Sequence, residues 1–413
     1  LLILLQLVVN IFFPEYVLTA LGFSFVILCY VSLKNDLMFY DFFKKGFSNT
    51  AFYFFFTIML LAVVYRAIAD YYEFNFNVYD TGSFAQGISY FTILGKYYNN
   101  TLGIEALCDH FTPSLLIFAP FFKIINTSWW LTGSKILFWA LTSVYLRKLA
   151  LVYELQKYQA NMVALIWVLS APYTRVLDFE FQPSNLACLV IVLSLYLWKK
   201  QKYVWYVLLM TWGVFLKENM PLVVICNGLI LLFLEKNYKF GLLHIVLGIF
   251  LGFFIFFKLT PLLTGCENMH QNVLDPFKLI DKKILLIISV AASVAFFTFA
   301  NWRLFIVSGA AFGLSLLSNA DGHVSTNFHY HDIPTTYASV LCIFCVIKFR
   351  EGFYNTNVDF TFFKPLVLTI VFVVFLYVNG DNVILHKVFH DRTNMKQRFE
   401  LIEKVKLANK ELS

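Results

Sequence analysis

Long apolar runs recur along the whole chain, separated by short polar connections. Read against a bilayer, that alternation predicts about thirteen transmembrane helices. Two precede Lys34 and a third covers Ala51–Tyr65. After a polar and aromatic stretch at 66–129, runs resume at Leu131–Leu149, Met162–Tyr173, Leu186–Trp198, Val204–Leu216 and Leu222–Leu234. They continue at Phe240–Leu263, Ile284–Phe299, Leu304–Leu317, Pro334–Ile347 and Pro365–Val378. A bilayer needs about 20 residues per helix, so the shorter runs extend into their flanks or are shielded by protein. The fold class is therefore an all-α polytopic membrane protein, with interfacial helices in the first large loop. One transmembrane unit covers 1–380, and 381–413 begins a charged outer-face segment. The chain opens on Leu inside an apolar run and stops in a charged helical pattern, so both true termini are expected beyond it.

Composition agrees. The chain is 60% hydrophobic and 14% charged, where a globular domain is nearer a quarter charged, which excludes a large soluble core. The net charge of +7 sets topology and does not point to nucleic acid. The basic connections "KNDLMFYDFFKK", "LRK", "WKKQK", "EKNYK" and "KFREG" alternate along the chain and are expected in the cytoplasm. The other face then receives "YDTGSFAQ", "CDHFTPS", "LDFEFQPSN", "KENMP", "GCENMHQNVLDPFKLIDKK" and "DGHVSTNFHYHDIP". Several polar clusters on one face, among aromatics, read as a working cavity. Most cysteines sit in apolar runs as small hydrophobes, including the C-x-x-C of Cys342 and Cys345. Cys108 and Cys266 fall in connections on one face, and a disulfide between them is open.

Asp80 draws the chemistry. It precedes an amphipathic pattern with Phe84, Ile88, Phe91 and Leu94 on one side and Gln86, Ser89 and Thr92 on the other, an interfacial helix. Ser83 and Gln86 fit a capping box. That leaves Asp80 upstream of the cap, either as a second cap or as a general base for an acceptor hydroxyl. Asp109 and His110 read either as site residues or as a local hydrogen bond, and Lys217 and Glu218 either as site residues or as partners of other charges at a helix end. Asp321, His323, His329, His331 and Asp332 carry enough N and O atoms for Zn²⁺ or Mn²⁺. No tight H-x-x-x-H spacing on a helix accompanies them, so no metal ligands are assigned and a divalent metal stays an open alternative.

The ordered series "YDTGSFAQ", "DHFTPS", "FEFQPS", "KEN" and "FHYHDIP" resembles the bacterial membrane family known as domain of unknown function 2079. It is similar, more distantly, to the GT-C superfamily of membrane glycosyltransferases. The family pattern has a second acid where Ala85 stands, and a His and a Glu where Gln182 and Ser184 stand; Glu180 occupies an Asp position. The resemblance implies a GT-C-like fold and inverting transfer of a hexosyl or pentosyl group from a polyprenyl-phosphate carrier as substrate; no cofactor is assigned beyond the divalent metal left open. It implies Asp80 as the catalytic base. Asp109, His110, Arg175, Glu180, Lys217, Glu218, His329, Tyr330 and His331 are implied to bind substrate, with Lys217 and Arg175 on the lipid phosphate. The implied setting is a bacterial cytoplasmic membrane with the active face toward the periplasm or exterior. The implied partners are membrane lipid, lipid-linked sugar and other chains of a membrane complex, with no nucleic acid. Two alternatives stay open: a catalytically silent GT-C-like subunit or scaffold, and a lipid-linked sugar transporter or flippase. Few charges are expected at span centres, which disfavours the transporter.

Overall fold

The computed structural model describes residues 47–72, 80–100, 102–266, 275–294, 301–325, 329–355 and 384. The first two expected spans, the run at 365–378 and, apart from Ile384, the segment 381–413 lie outside the described residues. The rest is helical except for one minimal hairpin, in which Tyr98–Asn99 pairs antiparallel with Ile104–Glu105. The principal helices are α1 (Asn49–Tyr72), α2 (Asp80–Leu94), α3 (Trp129–Val152), α4 (Lys157–Leu169), α5 (Ala171–Asp178) and α6 (Ala187–Lys199). They continue with α7 (Tyr203–Val214), α8 (Pro221–Phe233), α9 (Tyr238–Phe254), α10 (Ile280–Ser293), α11 (Trp302–Ala311) and α12 (Asp332–Asn355).

Among the described residues, two helices are long and apolar enough to cross a membrane, Asn49–Tyr71 and Tyr238–Thr264, or three if 157–178 is one bent span. The full set of thirteen spans is not reproduced, because α6, α7, α8 and α11 are apolar but short. The run at Met162–Tyr173 is not one straight helix: it breaks at Ser170 with a 44° bend. Pro172 lacks the N–H that would continue the ladder, and the Ser170 hydroxyl accepts from Tyr173 N to start α5. The first described span does not stop at Tyr65 but runs on to Tyr72. Arg66 pairs with Asp70 one turn on, at 2.6 Å, and approaches Asp178 at 3.5 Å, so a charge that looked like a boundary is accommodated inside.

The helices run up and down. At one end Arg147 donates to Asn161 and Asn49, and Lys199 holds Glu235, which also accepts from the Tyr153 hydroxyl. The connections "LRK", "WKKQK" and "EKNYK" therefore share that end. α6 lies at the centre, against α3, α7 and α12. Lipid tails give apolar helices no reason to associate, so close approach and polar bonds must do it. A Cβ on Gly241 would stand 2.7 Å from Leu232 N, and one on Gly248 2.6 Å from Ile225, so α8 and α9 meet at glycines. Asn227 ties three helices: its amide donates to Ser194 at 2.9 Å and its carbonyl accepts from Tyr337 at 2.9 Å.

Candidate functional site

At the end opposite the basic connections, five segments far apart in the chain meet. α2 begins at Asp80, and its first two backbone N–H groups donate to one oxygen of Glu180, each at 2.9 Å. The exchange is mutual, since Phe181 N donates to the Thr81 hydroxyl at 2.9 Å. Glu180 thus takes the place of a local cap, satisfying orphan donors at a helix N-terminus where negative charge is favoured. The expected Ser83–Gln86 box does not form. Ser83 lies inside the helix, and the Gln86 side chain instead accepts from Asn100 N at 3.0 Å. The expected apolar stripe is split as well: Phe84 and Ile88 are buried, while Phe91 and Leu94 are exposed.

With its helix capped from elsewhere, the half-buried Asp80 carboxyl meets the Gln182 side chain and lies close to Lys217, His110 and Asp109. Burial raises its pKa above the ordinary carboxylate value; Lys217, Gln182 and His110 oppose this, and Asp109 adds to it. Lys217 is itself buried, donates to Gln182 Oε1 at 3.0 Å and stands 5.5 Å from the centre of the Tyr330 ring. Gln182 therefore bridges the acid and the cation. Glu180 is buried, and that burial, reinforced by Asp80, lifts it to about 7 in spite of the two N–H bonds and nearby Lys135.

A second pair forms the adjoining wall. His110 Nδ1 donates to Glu218 at 2.9 Å, and Phe111 N donates to the other Glu218 oxygen at 3.1 Å. Burial works against the Glu218 charge, but His110 and Lys217 overcome it and hold the carboxyl down at about 2. His110 thus takes Glu218 from a distant segment, so Glu218 pairs with another ionisable group, and Lys217 takes Gln182. Phe84 stacks near His110 and meets Phe181 edge-on, with ring centres 6.1 Å apart in each case. Cys108, next to Asp109, is disulfide-bonded to Cys266 across 158 positions, which anchors this wall to the end of the α9 span.

Beneath lies the short turn at His329–His331. Tyr330 is near Asp80, Glu218 and Asp109. His331 is fully buried and its Nε2–H donates to Pro172 O at 2.7 Å, so it supports the turn and does not line the opening. Burial lowers it to about 4, with Arg175 adding to the effect. Arg175 acts on His331. The side chain of His329 lies outside the described residues. No group of three His, Cys, Asp or Glu residues able to hold a metal occurs among the described residues.

Sequence reasoning missed two members. Gln182 read as a loss from a pattern, yet it links Asp80 to Lys217. Lys135, the lone charge in "LTGSKILFWALTSV", is buried in α3 and donates to Leu177 O at 2.8 Å and Phe179 O at 2.6 Å, below Glu180. Its charge near the start of an apolar run was the available signal.

All five segments fall within one comparison. A family model described as "Predicted membrane protein (DUF2079)" matches residues 70–381. No curated protein matches the chain.

Proposed function

The chain belongs to the DUF2079 family of membrane proteins, and on that premise we propose that it transfers a sugar from a polyprenyl-phosphate carrier to an acceptor hydroxyl, with Asp80 as general base. One observation carries the reading. A half-exposed carboxyl, freed from capping by Glu180, sits with Lys217, His110–Glu218 and Tyr330 where five distant segments converge. As the acceptor oxygen attacks the anomeric carbon, its proton passes to an Asp80 oxygen. The carbon–oxygen bond to the phosphate breaks, and its electron pair leaves with the lipid phosphate. A single displacement inverts the anomeric centre. The raised affinity of Asp80 for a proton suits a base working near neutral pH. Lys217 and Gln182 each favour its ionised form against the effect of burial. The partly exposed His110 lies close to Asp80, where the sugar or phosphate would sit. The disulfide beside Asp109 supports a site on the oxidising, outer face of a bacterial cytoplasmic membrane.

The test is Asp80→Asn in vesicles containing the full chain, supplied with radiolabelled polyprenyl-phosphate sugars. Loss of a positioned base removes about 10²–10⁴-fold of rate, while thermal unfolding stays at the wild-type temperature. Transfer at the wild-type rate ends the proposal. Ala85, Gln182 and Ser184, which replace an acid, a His and a Glu of the family pattern, favour a second reading: a GT-C-like subunit of a membrane complex without its own chemistry. In that case no donor supports transfer, and the chain is recovered only with fixed partner proteins.

A further inference from the structure

Away from the polar cluster, a groove of about 680 Å³ lies between α7, α8 and α9. It starts among Trp198, Tyr203 and Phe240 at the basic-connection end and reaches Val214, Phe215 and Leu251 at the other. Its lining is mostly apolar; the polar groups belong to Trp198, Tyr203, Thr211, Tyr206 and His244. The last two are spent on local bonds. The Tyr206 hydroxyl meets His244 Nε2 at 2.6 Å, and His244 Nδ1 donates to Phe240 O at 2.7 Å. Apart from Thr211 and the Trp198–Tyr203 end, the groove offers little to hydrogen-bond an occupant, and hydrocarbon suits it. Val207, Leu243 and Leu247 on its rim are about half exposed, and α9 belongs to a membrane-crossing helix, so the mouth opens on lipid.

One end of the groove lies next to the residues that carry the site. Phe215 lines its upper end, and the same residue accepts a backbone bond from Ser114 at 3.0 Å and packs on Phe111 with ring centres 6.0 Å apart. Phe111 is bonded to Glu218, and Lys217 follows Phe215 by two positions. We propose that this groove seats the hydrocarbon chain of the lipid-linked sugar donor, leading its phosphate to the Asp80–Lys217–His110 cluster. The placement rests on the sugar-transfer reading for its head group and on the groove alone for its chain.

The experiment uses the full chain in lipid nanodiscs and two photoactivatable probes. One is a polyprenyl phosphate with a diazirine in its chain; the other is a phosphatidylcholine with a diazirine in its acyl chain. The polyprenyl probe is expected to label peptides of α7 and α9 around Met210 and Leu247. Unlabelled polyprenyl phosphate at roughly ten times its Kd should cut that labelling about tenfold, and phosphatidylcholine should not. Met210→Trp with Leu247→Trp, which fill the groove, should lower labelling to a similar degree, and Val207→Phe at the mouth should lower it less. Competition on the wild-type chain decides the matter even if a filled variant misfolds. Labelling spread over other helices overturns the proposal, as does equal, uncompeted labelling by both probes, which marks ordinary bilayer lipid. If competed labelling persists in a chain that transfers no sugar, the groove stands and the transfer reading falls. If transfer occurs without groove labelling, the reverse holds.

Discussion

Replacing Glu180 by Gln isolates the charge of the residue that caps α2. Both N–H donors, from Asp80 and Thr81, reach the same oxygen. An amide oxygen in that place can accept both, so the geometry survives the change. What disappears is the buried charge. The carboxyl moves from its ordinary 4.5 to about 7 on folding, mainly through burial, and a displacement of that size corresponds to ~3 kcal/mol. Water at the rim screens part of it, so we take about 1–2 kcal/mol. Because the folded value lies above the unfolded one, Glu180 contributes fully below pH 4.5, and that contribution fades as pH rises through about 7. Glu180→Gln should therefore match wild type within a few tenths of a kcal/mol at pH 5 and exceed it by about 1–2 kcal/mol at pH 8. Glu180→Ala should lose about 0.5–2 kcal/mol at both, as a missing cap does. Tryptophan-monitored thermal unfolding in detergent reads all three. Equal destabilisation of the Gln variant at both pH values would show that the ionised carboxylate stabilises α2, and would refute the reasoning.

Two further outcomes are expected. Glu218 is held at about 2, so its contribution is present above pH 4.5 and lost as pH falls toward 2; Glu218→Gln should cost about 2–3 kcal/mol at pH 7 and progressively less in acid, measured by the same unfolding. Gly241→Val drives a side chain into the Leu232 backbone at 2.7 Å, whereas a Cβ at Gly252 meets only Pro221 at 3.7 Å. The first should cost about 1–3 kcal/mol and Gly252→Ala close to nothing, with thermal unfolding of both variants as the check.

Much of the architecture was legible because it follows from local pattern. The apolar run at 240–263 is one helix, and the basic connections at 146–148, 198–202 and 235–239 share an end. The two loop cysteines read as a candidate pair are bonded. Some corrections had a visible signal. Arg66 and Asp70 stand four apart, the spacing of a helical ion pair, and Pro172 marks the break at Ser170. Others had none. That Glu180 caps a helix 100 positions earlier, that His110 prefers Glu218 to its neighbour Asp109, and that Gln182 replaces a family His and yet joins acid to lysine are facts of tertiary approach. Periodicity and charge along a chain describe what each segment buries. They do not say which distant segment supplies its partner.

The reciprocal clasp between the start of α2 and Glu180–Phe181 also bears on biogenesis. During synthesis the Asp80 segment leaves the ribosome about a hundred residues ahead of the side chain that secures its first turn. Until that later hairpin has been inserted, the two amides must find water or a temporary host. The aspartate's final orientation is consequently a late event, and a chain interrupted before Glu180 would carry the acid without its architecture.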